Sequence, residues 1–166
     1  DHPGLKDNIW TNHTERLGAD DYDDDENGFE DDVHGWDFIH DDNDPKDDNM
    51  HGTHVAGIAA AVGDNEIGIA GANWKAKIMP IKVFNVNGRG SIDNISKGIE
   101  YAYQNGATIL NMSFGLTSPS YTLKLALENA YEYAYLVAAA GNNSDCMGSK
   151  CGIPAVEYYP AAYTFV

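Results

Sequence analysis

The chemistry-bearing residues of this chain are concentrated in His51-Gly52-Thr53-His54-Val55-Ala56-Gly57-Ile58 and in an acidic stretch just before it. A bare H-x-x-H could be half of a metal site, and a single histidine in a loop is usually structural. For zinc, the glutamate of a helical H-E-x-x-H is missing and no third ligand suggests itself. A zinc hydrolase working through His51 and His54 would lose activity to chelators of zinc and regain it with zinc. The acidic stretch is denser. Between Asp20 and Asp48 lie 15 of the 26 acidic residues, opposed by Lys46 alone. A solvated loop is one reading of such a run. A calcium site is the other, because a cation would offset the mutual repulsion.

Within that run, Asp23-x-Asp25-x-Asn27-Gly28-Phe29-x-Asp31-Asp32 has an EF-hand-like rhythm, with side-chain oxygens at positions 1, 3, 5 and 9, glycine at 6 and the Phe29 carbonyl at 7. His34 stands where the bidentate glutamate of position 12 is expected, so Asp31 or Asp32 would have to supply that contact. Cys146 and Cys151, separated by four residues in a Gly/Ser/Asn-rich stretch, fit a small surface disulfide of an exported protein or a pair of reduced bystanders. No second Cys or His pair has zinc-ligand spacing.

The elements that must position these groups follow from composition and periodicity. With 166 residues, 43% hydrophobic and 11% aromatic, the chain is long enough for one globular domain with a core. A net charge of -16 leaves no basic patch to replace counterions on nucleic-acid phosphates. No apolar run reaches membrane-spanning length. No initiator Met or signal peptide is visible, so both termini are treated as possible cut points.

Residues 1–50 read as an acidic loop region and 51–166 as an α/β core. Gly52 to Val62 can be helical, with Val55, Ile58, Ala59 and Val62 on one face. Ile78 to Phe84 suits a buried strand, against the objection of Pro80. Ser91 to Gln104 reads as a helix, with Ile92, Ile95, Ile99 and Tyr103 at helical spacing after a Gly90-Ser91 start. Thr108 to Ser113 (strand), Thr122 to Ala134 (helix, with Leu123, Leu127, Ala130 and Ala134) and Tyr135 to Ala140 (strand) complete the alternation. The expected fold is therefore α/β: a parallel sheet with helices on both faces. Chemistry in such sheets gathers at the carboxyl ends of strands. Here those ends are Asn85–Gly90, Ser113–Leu116 and Gly141–Asn143.

The octapeptide at His51 resembles the histidine motif of the subtilisin-like serine peptidases, in which the first histidine opens a helix and is the general base. His54 would then be a packing residue. Asn111-Met112-Ser113-Phe114-Gly115 resembles that family's N-x-S-x-G strand, whose Ser-x-Gly backbone pairs with the substrate and lines the first specificity pocket. Val137 to Asn142 resembles its A-A-G-N segment, which implies that Asn142 donates its amide to the tetrahedral oxyanion. The small residues Ala138, Ala140 and Gly141 would leave room in the first pocket for a large apolar or aromatic side chain. Gly88-Arg89-Gly90 matches the G-x-G segment flanking the substrate on its other side, with Ile92, Ile95 and Phe114 lining a more distant pocket. Arg89 would favour a nearby acidic substrate residue or is simply solvated. His2-Pro3-Gly4-Leu5 resembles H-P-x-L, and Tyr159-Pro160-Ala161 resembles Y-P-A.

The resemblance implies a partial subtilisin-like domain in a secreted or extracellular endopeptidase with structural calcium and a peptide or protein substrate. The acidic D-x-D-x-N-G-x-x-D-D loop also resembles one found before the histidine motif in many of these enzymes. A second calcium loop is suggested around Asn65, with the carbonyls of Val62, Ile67 and Ile69. The carboxylate of the family's H-P-D-L is Gly4 here, which leaves that site weak or empty, or the segment a plain surface turn.

The family uses Asp, His and Ser in that chain order. By the resemblance the aspartate should stand seven residues before His2, and the serine in a G-T-S-M-A-x-P motif beyond Ala161. No G-T-S and no G-x-S-x-G occurs in the sequence. His51 is then the triad member this chain supplies, the remainder of the parent catalytic domain is its expected partner, and the chain alone should not hydrolyse peptides. The alternative is a non-catalytic calcium-binding or pseudo-protease module on the same scaffold. Retention of both His51 and Asn142 favours a working enzyme. N-x-[ST] triplets such as Asn12-His13-Thr14 matter only in a eukaryotic secretory host.

Overall fold

A computed structural model of the chain describes residues 2–142 and 157–166. Two compact units divide it, 1–94 and 95–166.

In the first unit the acidic region is mostly loop, as its composition predicts, but it contains a short helix α1 (His13–Leu17). Asn12 caps that helix, its Oδ1 accepting the Thr14 amide at 3.2 Å. A short parallel pair follows, β1 (Trp36–Asp37) with β2 (Ile81–Lys82), in a register that puts Asp37 opposite Lys82. Strand structure here is shorter than the expected Ile78–Phe84. Pro80 has no N–H to give the ladder, and Ile78 makes only an isolated bridge to Ile9. Gly35, just before β1, sits at φ +114, and a Cβ there would run into the Pro80 carbonyl oxygen. Only glycine lets β1 approach β2 so closely. Phe29 packs edge-on against Trp36 and Phe38, at 5.0 and 5.7 Å between centroids, which ties the acidic loop to β1.

The histidine segment forms helix α2 (His51–Ala60), one residue earlier at its start and two shorter at its end than its periodicity suggests. Its C-terminal end is held from below: buried Asn8 donates Nδ2 to the Ala60 carbonyl at 2.9 Å and to the Trp74 carbonyl at 2.7 Å. Ala60 and Ala61 are buried, whereas Ile58 is exposed.

Helix α3 (Ile92–Gln104) buries Ile95 and Ile99 of its expected stripe, together with Ala102, while Ile92 and Tyr103 are half-buried. The second unit is built on a β-α-β crossover. Strand β3 (Ile109–Met112) runs parallel to β4 (Tyr135–Ala138), with Ile109 opposite Tyr135 and Met112 opposite Ala138. Between them lies α4 (Tyr121–Tyr131), whose buried Leu123, Ala126, Leu127 and Ala130 form its inner stripe. Ser120 Oγ accepts the Leu123 amide at 3.3 Å, which starts the helix one residue before the expected Thr122. Burial alternates along β3: Leu110 and Met112 are buried, while Ile109 and, on β4, Tyr135 and Val137 are exposed. The element order and parallel pairing are those of the α/β class.

Candidate active site and acidic cluster

His51 is the first residue of α2, and the chain enters it through a strained step. Met50 holds φ at +73°, an uncommon conformation for a non-glycine residue, and makes no side-chain cap to the helix. The cap comes from further upstream. Asp47 Oδ1 accepts the amides of Asn49 and Met50, both at 2.9 Å. Its Oδ2 accepts the Thr53 amide at 2.8 Å and the Thr53 hydroxyl at 2.7 Å. Burial alone would raise the Asp47 carboxyl, but the Thr53 hydroxyl and these amides together hold it below the ordinary value.

The next residues reach other elements of the same unit. Asp48 takes an ion pair from Lys82 on β2 at 3.1 Å. Lys82 also meets Asp37 at 2.8 Å, as the strand register requires. Asp37 is buried to 1% exposure and further accepts the Ile39 amide at 2.7 Å and His40 Nδ1 at 2.8 Å. Burial opposes its charge, yet Lys82, the His40 ring and the amides of Ile39 and His40 lower its pKa overall. The same pairs raise Lys82 against the opposing pull of burial. Asn49 donates Nδ2 to the Val86 carbonyl at 2.7 Å, in the loop leading to Gly88, Arg89 and Gly90. That loop is closed by Asn85, whose Oδ1 accepts the Asn87 and Arg89 amides. Gly88, Arg89 and Gly90 are all exposed.

In the second unit the predicted site residues cluster at the carboxyl ends of β3 and β4. Asn111 donates Nδ2 to Ser113 Oγ at 2.9 Å. The Ala139 amide bonds the Met112 carbonyl at 3.1 Å, and Leu116 bridges antiparallel to Tyr159. Ser113 and Phe114 are half-buried and Gly115 exposed. Gly141 sits at φ +96, where a Cβ would press on the Tyr158 ring at 2.6 Å, and it delivers an exposed Asn142 just past β4. Ala138 is half-buried and Ala140 exposed. Ile95 is 1% exposed and so is a core residue with no surface for a ligand, unlike the half-buried Ile92. Cys146 and Cys151 lie outside the described residues.

The acidic cluster differs in part from its sequence pattern. Asp25 and Asp32 converge, and Asn27 donates Nδ2 to both, at 3.3 and 3.0 Å. Asp23 instead closes the turn, accepting the Asn27 amide at 3.1 Å and the Gly28 amide at 2.7 Å. Asp31 points elsewhere and accepts the Asp21 amide at 2.9 Å, so it does not join the converging group. The residue that does join is Glu15, from α1. One carboxylate oxygen each from Glu15, Asp25 and Asp32 falls within 4.8 Å of the others. Glu15 and Asp32 are buried, at 3% and 0% exposure. Asn12 offsets part of the charge by donating to Asp25 at 2.8 Å and Asp32 at 2.7 Å. Glu15 accepts the amides of Asp24, Asp25 and Asp31, yet burial, with the Asp25 charge added, raises its pKa. Oxygen-only donors of this kind fit a hard divalent cation such as calcium. Because Asn12 is 7% exposed and its amide is committed to these carboxylates, the Asn12-His13-Thr14 triplet is no glycan acceptor in the folded chain. At the weaker candidate loop, Asn65 Oδ1 accepts its own loop's Ile67 amide at 3.1 Å, as in a simple surface turn.

A parallel α/β scaffold with a histidine opening one helix and an exposed asparagine after a strand is the class defined so far. The model of the Subtilase family matches residues 1–166, and the chain belongs to that family. The chain is 44% identical over 136 residues to a thermophilic serine proteinase of Bacillus sp. (strain AK1), covering 79% of this chain and 31% of that protein. It is 42% identical over 134 residues to Subtilisin DY of Bacillus licheniformis, covering 81% and 47% respectively. It is 33% identical over 156 residues to Subtilisin-like protease 1 of Plasmodium falciparum (isolate 3D7), covering 94% and 22%. Among solved structures, a cold-adapted subtilisin-like serine proteinase matches with a TM-score of 0.58 and 32% identity, over 65% of this chain and 38% of that one. The chain thus spans less than half the length of each of these relatives.

Proposed function

We propose that the chain is the histidine-bearing part of the catalytic domain of a serine endopeptidase that hydrolyses peptide or protein substrates. The observation that carries this reading is His51 at the first position of α2, in a family motif whose helix start is held by a side-chain cap. His51 takes the proton of a serine lying outside these residues, and an aspartate, also outside them, fixes its tautomer. Asn142 donates to the oxyanion that forms when the serine attacks. The backbones of Ser113–Gly115 and Gly88–Gly90 hold the substrate as an added strand, and Ala138, Ala140 and Gly141 leave the first pocket wide.

The exposed Ile109, Tyr135 and Val137 on the β3–β4 sheet support a role for the remainder of the catalytic domain as partner, because an isolated apolar sheet face is costly in water. Calcium is the cation that suits the cluster. Glu15, Asp25 and Asp32 would hold it, with Asn27 turned to present its oxygen, and it would neutralise charges that the fold buries together. Such a site suits a secreted or extracellular protein.

The test is peptide hydrolysis by the longer protein and two variants. His51→Ala should abolish turnover, and Asn142→Ala should lower kcat by about 10²–10³, a magnitude taken from this same family. Unchanged turnover in either variant would remove that residue from the mechanism. A longer protein that binds calcium without hydrolysing any peptide would establish the non-catalytic module instead.

A further inference from the structure

Asp47 spends both carboxylate oxygens on the segment that delivers His51. Two amides on Oδ1 close the turn 47–50. An amide and a hydroxyl on Oδ2, both from Thr53, fasten that turn to the first turn of α2. Between these anchors stands Met50 at φ +73°, a conformation that persists only where the surroundings over-determine it. The two residues between Asp47 and Met50 are tethered as well, Asp48 to Lys82 on β2 and Asn49 to the Val86 carbonyl.

We propose that Asp47 is the positioning residue for His51: its carboxylate, bonded to the amides of Asn49, Met50 and Thr53 and to the Thr53 hydroxyl, fixes the helix start from which the imidazole projects. The proposal rests on the reading of His51 as the general base. Asp47 touches no substrate, and its effect is to hold the base where the proton is exchanged. Against the opposing pull of burial, the Thr53 hydroxyl and the amides of Thr53, Asn49 and Met50 hold its carboxyl below the ordinary value, so the clamp stays ionised across the neutral range. Asn49 extends the same control to the substrate-flanking loop, which links the placement of the base to the placement of the peptide.

The experiment uses the full-length protease. Asp47→Ala should lower kcat by roughly 10²-fold, the scale of an ångström-level misplacement, while KM stays within about twofold. Asp47→Asn keeps an acceptor oxygen and should recover about tenfold of that loss. Thr53→Val, which removes one donor, should cost less than either. Hydrogen exchange read peptide by peptide should show faster exchange over 47–54 in Asp47→Ala and unchanged exchange over α4.

A kcat within about twofold of wild type, or a loss carried by KM alone, would overturn the proposal. So would exchange that rises equally in both units, since that marks general destabilisation. Should Asp47→Ala fail to fold, Asp47→Asn and Thr53→Val carry the same kinetic test. A wild-type protein without peptidase activity would sink the reading of His51 as base. The exchange measurement would then still decide whether Asp47 holds the start of α2.

Discussion

The first unit buries carboxylates in two places and resolves their charge in opposite ways. On β1 and just before α2, Asp37 and Asp47 are surrounded by donors: Lys82, His40, Thr53 and several backbone amides. Their pKa values fall below the ordinary range despite burial. In the cluster at α1, Glu15, Asp25 and Asp32 bring carboxylate oxygens together, and burial with the Asp25 charge added raises the Glu15 pKa. Two unit charges about 5 Å apart repel by roughly 3 kcal/mol at an effective dielectric constant of 20. In the first arrangement donors stand against each carboxylate and hold its charge in place. The second sets like charges against one another, and the proposed cation would offset that repulsion. Acidic composition is shared by both places; what separates them is that the cluster sets carboxylates against one another, whereas Asp37 has Lys82 beside it.

The largest expected effect tests the donor-rich side. Asp37→Ala leaves Lys82, 10% exposed, without its nearest partner, and should destabilise the fold by about 3–5 kcal/mol in urea titrations with or without calcium. A cost below about 1 kcal/mol would mean that the pair is no anchor. Next, Glu15→Gln should erase the calcium-induced rise in stability, which reaches about 2.7 kcal/mol at a hundredfold excess over Kd. In EDTA the same variant should be at least as stable as the parent, because it removes a repelling charge. Thermal unfolding in the two buffers checks both arms.

The pH dependence sharpens the contrast further. Glu15, raised from an ordinary value of 4.5, contributes stability that is fully present below that value and is lost as pH climbs through its folded pKa. Asp37 and Asp47, lowered from 3.8, contribute stability that is present above 3.8 and is lost as pH falls through their folded values. The gap between calcium and EDTA should therefore widen as pH rises from 4.5. A gap independent of pH would contradict the assignment of Glu15 to the cation site. The smallest effect belongs to His40→Ala, whose side chain is 58% exposed, and it should stay under about 1 kcal/mol.

Legibility in the sequence followed the range of the interaction. The D-x-D-x-N-G rhythm found Asp25, Asn27 and Asp32, because a tight loop brings alternate residues to one side. It also claimed Asp23 and Asp31, which the loop spends on its own amides. Glu15 was not legible. Asn12-x-x-Glu15 reads locally as a capping box, in which the glutamate should turn back to the cap, whereas here it reaches forward to the amides of 24, 25 and 31. Asp47 was hidden among its neighbours in the acidic run; its one local signal was an acid shortly before a helix start. Helices α3 and α4 were clear from 3.6-residue spacing alone. The short β1 was not, since two residues carry no period. Ile95 fitted the helical stripe and was also assigned to a substrate pocket, and its burial shows that the stripe was the stronger signal.

The most direct test of the central claim is labelling with a fluorophosphonate serine probe. The account predicts no labelling of the 166-residue chain, with or without calcium, and stoichiometric labelling of the full-length protein that disappears in His51→Ala. Stoichiometric labelling of the 166-residue chain, abolished by His51→Ala, would contradict it and place the nucleophile within these residues.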